Sequence, residues 1–200
     1  MRVLLVINNY FKEENAFKAR QIVKVLQKYG KKQVKMRSYK HLRKGVSTDV
    51  EALILSGSPA HPWKEEHMTK FSDEINLVLE YDNPILGICF GHQLIGKAFG
   101  AQARILDSSI HRFESVEVIQ PDDIFSTWKK GTTLPLCESH KDEITLPPDF
   151  IHLARSTSCE NEAMQHPTRP IYSTQAHLER STETYTAGFQ VIKNFLHLFS

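Results

Sequence analysis

A short apolar run, Ile85-Leu86-Gly87-Ile88, leads into Gly-x-Cys-x-Gly at Gly87, Cys89 and Gly91, and from there into a helical stretch reaching Phe99. Few local patterns constrain a fold more. A strand that turns abruptly into a helix while thrusting one side chain outward admits only glycine-sized neighbours two positions either side. The pattern is a nucleophile elbow in its cysteine form, and it demands a sheet whose strands are followed by helices. It also puts Cys89 at a helix N-terminus, where the dipole and free N–H groups favour negative charge on sulfur. The same residues begin a phosphate-loop spelling from Gly91 to Gly96-Lys97, but Ala98 stands where a magnesium-binding hydroxyl belongs. Leu94 and Ile95 fit an amphipathic helix better than a loop around phosphates, so ATP binding is not expected here.

The rest of the chain agrees with that demand. RVLLVI at 2–7 reads as a strand, and Ala16, Ala19, Ile22, Val23 and Leu26 recur at helical spacing until Gly30. Gln33 to Met36 and Ala52 to Leu55 read as strands, the latter stopping at Ser56-Gly57-Ser58-Pro59; Phe71, Ile75, Val78 and Leu79 mark a second amphipathic helix. Strands alternating with helices predict an α/β fold: an open, mostly parallel twisted sheet with helices on both faces, flavodoxin-like. Between Ala101 and Gln175 the pattern changes to short strand-like pieces at 115–119, 150–154 and 170–175, a small strand-rich insertion. Phe189, Ile192, Phe195, Leu196 and Phe199 then form one face of a last helix. At 200 residues without a repeat or linker, residues 1–200 are expected to form a single domain.

Composition removes several classes. No apolar run approaches the ~18 residues of a membrane span, and MRVLLVINNY lacks the features of an export signal, so a cytoplasmic protein without membrane contact is expected. Cys89, Cys137 and Cys159 have no paired spacing for disulfides. Cys137 with His140, and Cys159 with His166, lack the spacing zinc needs, so no metal and no cofactor are expected. Residues 1–50 hold 13 Lys and Arg against 3 Asp and Glu. Arg20, Lys24 and Lys28 share one helix face, either a solvated surface or a docking surface for an acidic partner or nucleotide; nucleic-acid binding is not expected.

A cysteine nucleophile needs a base. Gln175-Ala176-His177-Leu178-Glu179 follows the strand-like segment at 170–175, and on an extended chain His177 and Glu179 point the same way. Glu179 would then fix the imidazole tautomer while the other ring nitrogen meets Cys89. That pairing ranks His177 above His92, His140 and His166. The Ser56 to Pro59 turn can supply a backbone N–H which, with that of Phe90, makes an oxyanion hole worth roughly 3 kcal/mol per donor.

GICFGHQ at 87–93 resembles the nucleophile motif of the class I, or triad, glutamine amidotransferases. ESHKDEITLPPDF at 138–150, ARSTSCENEAMQH at 154–166 and RPIYSTQAHLE at 169–179 are similar, in order and spacing, to the separate glutaminase subunit of GMP synthetase. The resemblance implies one class I glutamine amidotransferase domain that attacks the side-chain amide of glutamine, releases ammonia and hydrolyses a γ-glutamyl thioester. The ammonia would pass to an ATP-dependent synthetase on another chain, in GMP and purine biosynthesis. By position, Cys89 would be nucleophile, His177 general base and acid, and Glu179 its orienting carboxylate. Gly57, Ser58 and Phe90 would form the oxyanion hole, and Gln93 with a Ser139 to Asp142 loop would hold the amino-acid end of glutamine. His140 and Asp142 match the segment that meets the synthetase.

The chain departs from that family at named positions. Ser58 replaces the second glycine of the oxyanion turn, and a positive φ there would cost about 1 kcal/mol of strain. Ala176 and Leu178 replace the phenylalanine and proline around the histidine, which would loosen the ring. NNYFKEENAF at 8–17 replaces a glycine-containing opening. Two other functions therefore remain open: a stand-alone γ-glutamyl hydrolase or peptidase, and a catalytically weakened paralogue with a binding or regulatory role.

Overall fold

The central strands of the N-terminal half, at 3–8, 50–55 and 85–88, are predominantly apolar because both of their faces are covered. In the computed structural model, which describes residues 2–30, 32–43 and 45–199, β1 (Val3–Asn8) turns Leu4 and Val6 to one face of the sheet and Val3, Leu5 and Ile7 to the other. The first face packs on α1 (Ala16–Gly30) through Ile22 and Leu26 and on α5 (Ala187–His197) through Val191, Ile192 and Phe195. The second packs on α3 (Ser72–Glu80) through Val78 and on α4 (Phe90–Ala98) through Phe90, Leu94 and Ile95. A short α2 (Glu65–Lys70) precedes α3.

With β2 (Gln33–Ser38), β3 (Val50–Leu55), β4 (Ile85–Ile88) and β9 (Ile171–Thr174), β1 forms a parallel sheet in the order β2-β1-β3-β4-β9. This is the expected flavodoxin-like winding, whose strand carboxyl ends carry the ligand-facing loops. The strand-rich insertion continues the same sheet in antiparallel sense, as β8 (Ala163–Gln165), β7 (Ile151–Arg155), β5 (Ala103–Val118) and β6 (Thr133–Ile144).

Three local expectations change. Leu79 is exposed, because the buried stripe of α3 runs through Val78, a helical step away. The strand foreseen at 115–119 is the end of the 16-residue β5, whose first half is mostly solvent-facing and carries no apolar alternation. The segment 139–142, expected as a loop, lies inside β6, with His140 paired to Ile110 and Asp142 to Ile105. Arg20, Lys24 and Lys28 are exposed on α1 as the spacing implied, whereas Lys31 and Lys44 of the basic segment lie outside the described residues. Among the described residues no helix is long and apolar enough to cross a membrane.

Candidate active site

The elbow forms where β4 meets α4. Cys89 takes φ 53° and ψ −107°, a conformation that costs a residue with a Cβ about 1–3 kcal/mol. Its surroundings hold it there: the Cys89 N–H donates to Thr174 O at 2.9 Å, while the Cys89 carbonyl accepts from Gln93 N at 3.1 Å. A Cβ on Gly87 would lie 2.7 Å from the Gly91 carbonyl, and one on Gly91 would lie 2.4 Å from Leu55 O. The two glycines therefore let α4 sit directly on β3 and β4. Residues 91–97 lie within that packed helix rather than in a phosphate-wrapping loop.

His177 reaches the sulfur from the end of β9. Its ring is buried, its Nδ1 lies 2.7 Å from Glu179 Oε1, and it sits close enough to Cys89 for the sulfur to influence its charge. Cys89, His177 and Glu179 are thus one contiguous group. The local conformation differs from the extended one expected. The strand ends at Thr174, and His177 leads into a 3-10 turn over Leu178–Arg180. It is this turn, with the His177 N–H anchored on Cys137 O at 2.8 Å, that folds Glu179 back onto the ring. Ala176 and Leu178 are both buried in the core, and the replacements they represent leave the ring with its carboxylate partner.

Burial opposes charge on the imidazole, but the Glu179 carboxylate and the Cys89 sulfur outweigh it and push His177 up to about 10. Burial likewise works against ionised Glu179, and its imidazole partner overcomes this and holds the carboxyl below its usual range. Both neighbours thus favour the protonated form of the ring.

The turn after β3 lies beside this pair. Asn9 braces it entirely as a donor: its backbone N–H donates to Ser56 Oγ at 3.0 Å and its Nδ2 to Ser56 O at 3.1 Å and Glu74 Oε1 at 3.0 Å. Glu74 is fully buried, and burial raises its carboxyl to about 8 despite the Asn9 bond. Ser58 does not take the positive φ expected of it, so the predicted strain is absent; its Oγ instead accepts the Ala60 N–H at 3.1 Å. Phe90 is the first residue of α4, where N–H groups have no intrahelical acceptor.

A cleft of about 170 Å³ opens over Cys89, with Ser58, Gln93, His111, Ser139 and Asp142 among its walls. Ser139, His140 and Asp142 reach it from a strand, and His140 and Asp142 are buried while Lys141 between them is exposed. His140 Nδ1 donates to Asp142 O at 3.1 Å, and its Nε2 lies 3.3 Å from Glu138 Oε2. The Asp142 carboxylate receives His61 Nδ1 at 2.6 Å and Trp63 Nε1 at 3.1 Å, clamping the loop after Ser58 over the cleft.

Several residues around the site gave no sequence signal. Tyr10 lies so close that a Cβ on Gly57 would be 3.3 Å from its hydroxyl, and burial next to Cys89 and Glu179 raises its phenol. Asn9, Glu74, His61, Trp63 and Gln175 come from four separate segments, and only the fold unites them. Cys159 is buried, and burial pushes its thiol well up. Among the described residues no group of three or more His, Cys, Asp or Glu is arranged to hold a metal ion.

The family model for glutamine amidotransferase class-I matches residues 8–198. The chain belongs to the class-I glutamine amidotransferases. It is accordingly a cysteine-dependent enzyme of that family. Among its relatives, a component of the glutamine-hydrolysing GMP synthase of Methanosarcina barkeri is 41% identical over 155 residues, covering 76% of each chain. A structure described as a GMP synthase component from Thermoplasma acidophilum superposes with a TM-score of 0.84 at 28% identity, over 99% of this chain and 94% of the other. A glutamine amidotransferase from Thermotoga maritima, at 18% identity and TM-score 0.75 over 98% and 84%, shares the fold.

Proposed function

We propose that this family member hydrolyses the side-chain amide of glutamine and delivers the ammonia to an ATP-dependent, GMP-forming synthetase carried on a separate chain. The observation that carries the reading is the buried Cys89, His177 and Glu179 group, whose Cys89 lines a cleft. The GMP synthase relatives support the choice of acceptor.

In this reading the Cys89 sulfur attacks the carboxamide carbon, and the carbonyl oxygen takes the resulting negative charge toward the N–H groups of Phe90 and Ser58 beside Gly57. His177 takes the proton of the Cys89 thiol as the sulfur attacks and gives it to the departing ammonia. The now neutral ring takes a proton from water, which attacks the thioester, and Glu179 holds the ring's orientation throughout. Gln93 Nε2 is occupied by protein acceptors, which leaves its Oε1 to accept from the substrate's ammonium group. Ser139, His140 and Asp142 form the opposite wall, with Lys141 the exposed member of that strand available to a partner.

Ammonia release from glutamine by the purified chain, with and without the synthetase, tests the proposal. Release that the synthetase increases supports it. A steady rate indifferent to the synthetase would point to a stand-alone hydrolase, and a folded protein whose Cys89 never reacts with a diazoketone analogue of glutamine would point to a binding role.

A further inference from the structure

The Cys89 sulfur has a neighbour outside the triad. Gln175, fully buried just after β9, places Nε2 3.7 Å from Cys89 Sγ, within reach for an N–H to sulfur contact. Its Oε1 accepts from Gln93 Nε2 at 3.0 Å, and the same Gln93 nitrogen donates to the backbone oxygen of Asp142 at 2.8 Å. The direction of this chain is fixed by chemistry. A backbone carbonyl can only accept, so Gln93 must present its NH₂ to Asp142 O and, with its second hydrogen, to Gln175 Oε1. Gln175 is then left with its own NH₂ facing the sulfur. Flipping its amide would set NH₂ against NH₂ at one end and oxygen against sulfur at the other.

Ser139 O also lies 3.9 Å from the sulfur, where it can accept a proton from a thiol but repels a thiolate. The only amide hydrogens that these contacts bring to the sulfur are those of Gln175. We propose that Gln175 is a catalytic residue of this site: its side-chain N–H stabilises the Cys89 thiolate, in an orientation imposed through Gln93 by the Asp142 carbonyl. The inference rests on Cys89 being the nucleophile. It also joins the site's outer clamp to its reacting atom, since the residue whose carbonyl sets the direction is the one whose carboxylate holds His61 and Trp63.

The test is the rate of Cys89 alkylation by iodoacetamide as a function of pH, followed by intact mass and peptide mapping, in the parent protein and in Gln175→Met and Gln175→Glu. Methionine keeps the shape and removes the donor, and glutamate turns an oxygen toward the sulfur. The other ionisable groups facing the sulfur, His177 and Glu179 after β9 and Tyr10 after β1, are unchanged. Alkylation at neutral pH should slow about 5- to 10-fold in Gln175→Met and more in Gln175→Glu, with the half-maximal rate moving to higher pH in both. Glutaminase kcat should fall with KM little changed. A folded Gln175→Met with the parent's alkylation profile would overturn the assignment. A readout without substitution covers the case of variants that do not fold: the Gln175 side-chain amide signal in a ¹⁵N spectrum must move when Cys89 is alkylated, and a stationary signal also overturns it. If Cys89 of the parent reacts no faster than Cys137 and Cys159, the functional reading fails instead.

Discussion

Replacing Gly57 by alanine adds one methyl group at the point where the elbow, the histidine and the oxyanion turn converge. That Cβ would lie 2.9 Å from His177 Cε1, 3.3 Å from the Tyr10 hydroxyl and 3.6 Å from Cys89 Cβ. Ordinary contact begins near 3.4 Å, so the imidazole must yield by about 0.5 Å. It has little freedom to do so, being held by Glu179 at 2.7 Å and by its own backbone bond to Cys137 O at 2.8 Å. Overpacking of this kind costs about 1–3 kcal/mol, which for a chain of this length lowers the melting temperature by roughly 2–10 °C. Misplacement by 1 Å costs on the order of 10²-fold in rate, so half of that should reduce kcat roughly 10-fold in Gly57→Ala. Steady-state ammonia release gives kcat and KM, and a thermal melt on the same preparation gives stability. Parent values for both kcat and melting temperature would show that the ring is not held as described.

Cys89→Ala should abolish ammonia release while stability stays within about 1–2 kcal/mol, whereas Cys137→Ala and Cys159→Ala keep turnover; residual turnover in Cys89→Ala above a trace would remove the mechanism. Glu179→Gln removes the carboxylate that offsets burial at His177, so the ring's pKa falls and its protonated form loses support; ammonia assays should show a fall of about 10²–10⁴-fold, and parent activity would mean the carboxylate does no orienting. Glu74 is protonated in the folded protein up to about pH 8 but ionises near 4.5 once unfolded. Its contribution is therefore complete below pH 4.5 and disappears as pH rises through 8, a loss on the order of 5 kcal/mol. Melting curves of Glu74→Gln and the parent should diverge in the variant's favour between about pH 5 and 9, and parallel curves would contradict the burial argument.

How much of this could be read beforehand depended on which atoms made the signal. The elbow was legible because its glycines are demanded by backbone contacts that any sequence must respect, Gly91 against Leu55 above all. The central parallel strands β1, β3 and β4 were legible because burial on both faces leaves a nearly continuous apolar run. β6 was not, although its alternation is regular: Leu134, Leu136, Glu138, His140, Asp142 and Ile144 all face inward. Its middle members are polar, so the period of two is hidden from hydropathy and the stretch resembles a solvated loop. His177 and Glu179 were paired correctly for a conformation they do not adopt, since residues two apart meet in a 3-10 turn as well as on a strand. Asn9, Glu74 and Gln175 are ordinary polar residues whose roles depend on neighbours at least 47 positions away.

The sheet changes sense at β9, parallel to β4 on one side and antiparallel to β8 on the other. Cys89 and His177 both leave from the parallel side, on adjacent strands registered Ile88 to Thr174, while the facing wall of the cleft belongs to the far hairpin of β5 and β6. The triad and the wall that faces it thus belong to different pieces of one scaffold. The two pieces are nevertheless joined, because β6 anchors the His177 N–H on Cys137 O at 2.8 Å and brings Ser139 O to 3.9 Å from Cys89 Sγ, so a change in the hairpin is felt at the triad as well as at the cleft wall.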